Sequence, residues 1–377
     1  VDGLLQHSAR SIQHPVDTWM PEAIPFLSLM HSPHYIASMT LLVLSLMWIM
    51  RAFLEHKFRF AVFAGIVAAI LFSIHPFYVP TLYVIAGVWA FIFFVCGVKK
   101  NYKALISYLV FFAVSAPVLL YFLWLNNSSL VYHEWSAANH LSSPSLWMYV
   151  FGFALILPFA IYGARVSWSN EKFRFLIYWV VVNFLLLYAP FTFQRRLVEG
   201  IFIPLSILAV VGIYQLYGRI RTVSRGLVTA FALLFIVGNV HILSQEVWFY
   251  SDTNSTDYSL YYPATGDIEA MQWLHNHSAE SDIILSTREI GNFIPAYAVR
   301  PVFVGHKPQT LFSDTKVKLV NEFFTHPASQ KEFLHDWGIA YVFYSVQNKE
   351  RHNFNPPDVP FLEKVFENET ATIYRVQ

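Results

Sequence analysis

Eight separate stretches of about twenty mostly apolar residues constrain this chain more than any other feature, at about 35–53, 60–78, 80–98, 104–125, 146–164, 174–192, 199–217 and 226–245. A hydrocarbon core about 30 Å thick is crossed by about 20 apolar residues in a helix. At that depth backbone polar groups are satisfied only inside helices or closed barrels. The expected fold class is a polytopic α-helical membrane protein with about eight transmembrane helices. Composition agrees: 56% of residues are hydrophobic and 13% charged, where a soluble domain carries about 25% charged. A formal net charge of +1 gives no polyanion-binding signature, and with neither a basic stripe nor zinc spacing, nucleic acid is excluded as a partner. The single cysteine, Cys96, lies inside an apolar run, so there is no disulfide framework and no thiolate metal site. The chain opens at Val1 on a polar, His-containing segment with neither an initiator Met nor a signal peptide, and is expected to be N-terminally incomplete.

Charge alternates sharply between successive loops. One set carries Arg51, Lys57 and Arg59; Lys99, Lys100 and Lys103; Arg165, Lys172 and Arg174; and Arg219, Arg221 and Arg225. The opposite set, around His75 to Pro80 and from Asn126 to Ser145, carries no Lys or Arg. By the positive-inside rule the first set is cytoplasmic, which puts the start of the chain and everything after about Ser244 outside. The expected organisation is an extracytoplasmic segment over 1–34, a transmembrane helical domain over 35–245 and an extracytoplasmic α/β domain over 246–377, in a multi-pass protein of the plasma membrane. Five Asn-x-Ser/Thr triplets, at Asn126, Asn127, Asn254, Asn276 and Asn368, all fall on the outer side of this topology.

The tail holds ten of the 25 Lys and Arg residues, and its apolar runs are too short to span a membrane. Gly266 to Asn276 and Lys316 to Phe324 read as helices, and Asp282 to Ser286, Pro301 to Val304 and Ile339 to Ser345 as strands. Ser329 and Glu332 have capping-box spacing for a helix that stops at Gly338. Leu362 to Phe366 and Ala371 to Val376 form an expected hairpin turning at Asn368. Such alternation indicates a small α/β domain.

Arg195 and Arg196 are the only basic residues in the short outer loops. A guanidinium presents a planar fork of donors suited to phosphate oxygens and keeps its charge where water is scarce. The Gln194-Arg195-Arg196 turn is therefore the first candidate for binding a donor phosphate and stabilising it as it leaves; the plain alternative is a pair of interfacial anchors snorkelling to head groups. His75, in the outer turn Ser73-Ile74-His75-Pro76-Phe77-Tyr78-Val79-Pro80, is a second candidate donor to phosphate or sugar, although the two prolines explain that turn without any function. Inverting glycosyl transfer needs a carboxylate to accept the acceptor's proton, sometimes with a divalent ion to balance the leaving phosphate. Asp17 and Glu22 are the acids nearest the first span and fill the catalytic role in this reading; a solvated acidic pair is the alternative. His31 and His34 have helical spacing but no third metal ligand nearby in sequence. Glu134, Trp135 and Asn139, in the long outer loop, suit a sugar site as well as an ordinary interfacial loop, and Gln194 joins them as a substrate contact. Glu289 to Pro295 and Val304-Gly305-His306 read as tight strand exits, without a dinucleotide fingerprint.

These motifs together resemble the GT-C superfamily of integral membrane glycosyltransferases, which take sugars from polyprenyl-phosphate carriers on the non-cytoplasmic face. The resemblance rests on His75-Pro76-Phe77, Trp135 and Asn139 with Ser143-Pro144, Gln194-Arg195-Arg196, and the outer tail with Gly291-Asn292, Val304-Gly305-His306 and Tyr341 to Tyr344. It implies a catalytic acid in a first outer loop that is not visible in this sequence, and a second acidic position matched by Asp17 and Glu22. It also implies a polyprenyl-phosphate sugar donor, a glycan, lipid or protein acceptor, contact with membrane lipid, and no cofactor beyond a divalent cation. A non-enzymatic transporter or assembly subunit for lipid-linked glycans is the alternative, but ionisable residues avoid the span centres and no internal repeat is found, as a transporter would show. An outer-face ligase or acyltransferase would share the topology, yet no Ser/His/Asp arrangement supports the acyl route.

Overall fold

The structure, a computed structural model, describes residues 15–96, 102–138, 140–219, 238–245, 247–248, 251 and 262–377. The chain divides into two compact units, one of residues 1–129 and 139–243, the other of 130–138 and 244–377.

The first unit is a bundle. A 3-10 turn at Val16–Thr18 precedes α1 (Pro25–His31), α2 (Pro33–Glu55), α3 (Phe58–Ile74), α4 (Tyr78–Cys96) and α5 (Tyr102–Ser128). Next come α7 (Leu146–Gly152), α8 (Leu157–Ser167), α9 (Glu171–Leu186), a 3-10 turn at Gln194–Val198 and α10 (Phe202–Arg219); α6 (Leu130–Ala138) belongs to the second unit. Seven of the eight expected apolar stretches are thus helical, and the eighth lies largely outside the described residues. Among the described residues, length and hydropathy together qualify four helices to cross a membrane, or five if α7 and α8, bent by 88°, make one broken span. The break is local chemistry: Pro158 sits in the first turn of α8, where its missing N–H costs nothing. At the end of α7, Gly152 lies so close to the 3-10 turn that a Cβ there would meet Val16 Cγ2 at 2.5 Å.

Packing within the bundle follows residue size. The inward stripe of α3 is Ala61, Ala64, Gly65 and Ala68, while Phe63, Ile66 and Ile70 face outward. Small residues let backbones approach: a Cβ on Gly65 would lie 2.7 Å from Val114 of α5. Buried hydroxyls tie helices together. Ser45 Oγ donates to Ala64 O at 3.0 Å, and Tyr83 and Ser115 share a hydrogen bond of 2.9 Å. A second apolar cluster packs Val16, Met20 and Leu27 against Tyr149, Leu197, Val198 and Leu205, so the segment before the first long helix is folded into the bundle.

The second unit is built on a four-stranded sheet of β1 (Ile283–Leu285), β2 (Ile339–Ser345), β3 (Leu362–Glu367) and β4 (Ala371–Val376), in the order β1-β2-β4-β3. β1 and β2 are parallel; β2/β4 and β3/β4 are antiparallel. Val342 and Tyr344 enter a core shared with α13 (Ser313–Thr325) and α14 (Lys331–Asp336). Tyr341 and Phe343 enter another shared with α11 (Thr265–His277). Burial on both faces explains the unbroken apolar run of β2. The hairpin turns where expected, with Asn368 Oδ1 accepting from the N–H groups of Thr370 and Ala371 at 3.1 and 2.8 Å.

Three expected details differ. Pro301 to Val304 contributes only an isolated parallel bridge between Val302 and Ile284. The helix after Ser329 begins at Lys331 with no side-chain cap, because Ser329 Oγ donates back to His326 O inside a preceding 3-10 turn. The segment after β1 closes into a one-turn helix, α12 (Arg288–Gly291), whose Gly291 would, with a Cβ, strike Val304 O at 2.0 Å.

Candidate functional site

The arginine turn is held from three sides. Asn183 of α9 donates from Nδ2 to Leu197 O at 2.6 Å. The segment before α7 zips along it, with Leu141 N–H donating to Thr192 O at 2.7 Å and Arg195 N–H to Leu141 O at 3.0 Å. Gln194 completes the seam: its Oε1 accepts from Ser143 N–H at 3.3 Å and its Nε2 donates to Ala189 O at 2.9 Å. Both ends of that amide are committed to backbone, so Gln194 shapes the turn. Gly200, at φ 83°, then reverses the chain into α10 in a region L residues rarely adopt.

Each arginine is backed by a buried carboxylate. Nε and Nη2 of Arg195 both donate to Glu22 Oε1, at 3.1 and 2.9 Å, and its guanidinium lies 5.6 Å from the Trp19 ring. Glu22 is 1% exposed, against 24% for the arginine side chain. Nη1 of Arg196 donates to the Tyr35 hydroxyl and lies 3.8 Å from Glu199 Oε1. The Arg196 guanidinium stacks 4.7 Å from Phe77. Glu199, also 1% exposed, turns its carboxylate to His75, whose Nε2 lies 3.1 and 3.0 Å from its two oxygens. The ring of His75 in turn meets Tyr35, Phe77 and Tyr78, each at 5.3 Å, and the exposed His34 at 5.7 Å. Four polar atoms in this cluster, Glu22 Oε2, Arg196 Nε, the Tyr78 hydroxyl and Glu199 Oε2, are buried without a well-formed hydrogen bond, the last only 3.0 Å from His75 Nε2, unusual in a finished core and common where a ligand completes the set.

Sequence reading finds Arg195, Arg196, His75 and Glu22, and the fold brings all four together across more than 170 residues of chain. It misses Glu199 and Tyr35. Glu199 stands at the start of an apolar run, three residues beyond Arg196, and that ion-pair spacing is the signal that would have found it. Asp17 lies on the exposed 3-10 turn, and desolvation pushes its carboxyl above the usual range.

No protein-family model matches the chain, and no curated protein matches it in sequence. Solved structures do. The oligosaccharyltransferase of Archaeoglobus fulgidus tethered to an acceptor peptide with the NVT sequon superposes with a TM-score of 0.51 at 13% identity, over 84% of this chain and 52% of that one. The same protein with zinc and sulfate gives 0.50 at 16% identity, over 91% of this chain and 54% of that one. The chain shares the fold of the matched part of these oligosaccharyltransferase structures. It spans about half the length of the structures it matches.

The other sequence candidates fall elsewhere. Glu134 and Trp135 lie on α6, in the second unit, where the Trp135 and Tyr132 rings meet tilted at 5.4 Å. Asn139 lies outside the described residues. Among the described residues no three His, Cys, Asp or Glu side chains converge as a metal-binding set, so the residues described do not by themselves fit a divalent ion.

Proposed function

We propose that the chain is the membrane-embedded part of a glycosyltransferase that moves a sugar from a polyprenyl-phosphate-linked donor to a glycan, lipid or protein acceptor on the non-cytoplasmic face of the plasma membrane. The observation that carries this reading is the arginine pair with its buried carboxylates. Snorkelling anchors extend away from the protein toward water, whereas Arg195 and Arg196 are held from behind at 24% and 17% exposure. Burying two ion pairs costs several kcal/mol per ion before compensation, an expense that anchoring does not require and phosphate recognition does. Arg195 and Arg196 hold the donor phosphate, and His75 assists. As the sugar–oxygen bond breaks, negative charge grows on the departing phosphate, and donors fixed in advance around it lower that barrier. Glu22, 1% exposed and occupied by Arg195, has no access to an acceptor and supports the clamp. Asp17, exposed and raised, is the better placed carboxylate to accept the acceptor's proton.

The test is transfer of radiolabelled sugar from a panel of polyprenyl-phosphate donors to membrane acceptors, with the full chain in liposomes. Lysine keeps the charge but loses the fork, so Arg195→Lys and Arg196→Lys leave Glu22 and Glu199 compensated. Each is expected to raise the donor KM at least tenfold. Unchanged transfer in both variants would demote the arginines to anchors, and no transfer from any donor by the parent would favour a transporter or assembly subunit.

A further inference from the structure

The clamp has an unusual charge balance. Among the described residues of the cluster, Arg195 pairs with Glu22, and Arg196 with Glu199, so the fixed charges cancel. A neutral framework attracts an anion only through its donors and dipoles. The remaining titratable groups facing His75 are His34 and Tyr35 from α2, Tyr78 from α4, and Arg196 and Glu199 from the arginine turn. His34 is exposed and meets His75 only by ring contact at 5.7 Å, whereas His75 is buried with Nε2 on both oxygens of Glu199. Histidine is the side chain that ordinarily gains or loses its charge between about pH 5 and 8.

We propose that Glu199 is a positioning residue that sets the charge of the phosphate site: by cancelling Arg196 and holding His75 through Nε2, it leaves the protonated imidazole of His75, among the described buried groups, as the source of net positive charge there. This rests on the donor-phosphate reading above. The chemistry explains the use. In transfer, the sugar–oxygen bond breaks with its electron pair going to the phosphate oxygen, a new bond forms to the acceptor oxygen, and the acceptor's proton leaves to the carboxylate base. The phosphate passes from one negative charge to two, and His75 supplies the balancing charge without a fixed excess that would hold the product.

Binding of farnesyl methyl phosphate to the full chain in detergent tests this. The probe is a phosphodiester, so its own charge is constant from pH 6 to 9, and no transfer is needed to read it. Parent protein and His34→Gln are expected to bind at least tenfold more weakly at pH 8.5 than at pH 6. Glu199→Gln, isosteric and still able to bond His75 and Arg196, leaves a fixed positive charge and is expected to bind at pH 8.5 about as well as the parent at pH 6. His75→Gln is expected to bind weakly at every pH. A merely structural Glu199 would weaken binding at all pH values, pH 8.5 included. Binding by the parent with a flat profile, no gain over the parent at pH 8.5 in Glu199→Gln, or a slope lost in His34→Gln would overturn this inference and leave the phosphate site standing; no binding by the parent at any pH would overturn both.

Discussion

Asp267 and Glu289 are the two carboxyls of the second unit moved furthest from ordinary behaviour, and they move in opposite directions. Asp267, fully buried in the first turn of α11, accepts from Ser345 Oγ at 3.1 Å; desolvation pushes its pKa up to about 6. Glu289 is desolvated too, but its hydrogen bond from His352 at 3.1 Å, its own backbone and the nearby Arg288 hold it down at about 2. The linkage signs follow. Between about pH 4 and 6 the native state holds a proton on Asp267 that the unfolded chain has released, so stability falls as pH rises through that window, by on the order of 3 kcal/mol in total. Glu289 contributes stability present above about pH 4.5 and lost only as pH falls toward 2, so it is constant in the upper window. Hydrogen exchange of β2 and β4 amides in the parent should therefore speed up from pH 4.5 to 6.5, after correction for intrinsic rates, and Asp267→Asn should flatten the profile. Parallel profiles would show that Asp267 is not the source. Neither shift was legible in the sequence, because each depends on burial by strands and helices distant in the chain. The arginine pair was legible because two charges break a strict loop pattern; Glu199 was not, because an acid at the mouth of an apolar run reads as the end of a loop.

At the scale of elements, α8 and α10 make the closest crossing in the membrane unit. A Cβ on Gly163 would lie 1.9 Å from Leu208 O, and one on Gly212 would lie 2.1 Å from Phe159 O. The obstruction is backbone on both sides, so no side-chain rotation relieves it. Gly163→Ala and Gly212→Ala should each lower stability by about 1–3 kcal/mol or more through separation of the two helices. Gly238→Ala, whose added methyl meets nothing within 4 Å, is the matched control. Thermal unfolding in detergent separates them: equal midpoints for all three would refute the close crossing. Because α10 carries Glu199 at its approach, the same variants should also weaken donor binding. Helix positions were readable from apolar length, and β2 and the hairpin from pattern and turn chemistry. The 88° break between α7 and α8 was hidden, since Pro158 and Gly152 sit inside an apolar run whose hydropathy does not change there. The capping-box spacing misled for a complementary reason: Ser329 found a nearer carbonyl in its own turn.

For the whole molecule the decisive quantity is orientation. Helix α3 runs from Phe58 to Ile74, a rise of about 25 Å at 1.5 Å per residue, so Lys57 and His75 stand at opposite ends of it. His75 shares its end with the arginine turn through Glu199. The Lys57 turn therefore lies at the end of α3 away from the clamp, and the proposed topology, by the positive-inside rule, has the clamp outside. In the proposed topology the second unit also lies outside, and labelling tests it. In a Cys96→Ser background, Glu280→Cys, exposed on the second unit, should react with a membrane-impermeant maleimide on intact cells. Lys57→Cys, exposed at the α2–α3 turn, should react only after permeabilisation. The pair is informative because one orientation cannot satisfy the reversed result. If Lys57→Cys were labelled from outside and Glu280→Cys were not, the arginine turn would face the cytoplasm, and a phosphate bound there would belong to a cytoplasmic donor. If neither were labelled until permeabilisation, the number of spans between them would be even where the loop charges require seven, and the assignment of the last apolar stretch would have to change while the clamp stayed outside.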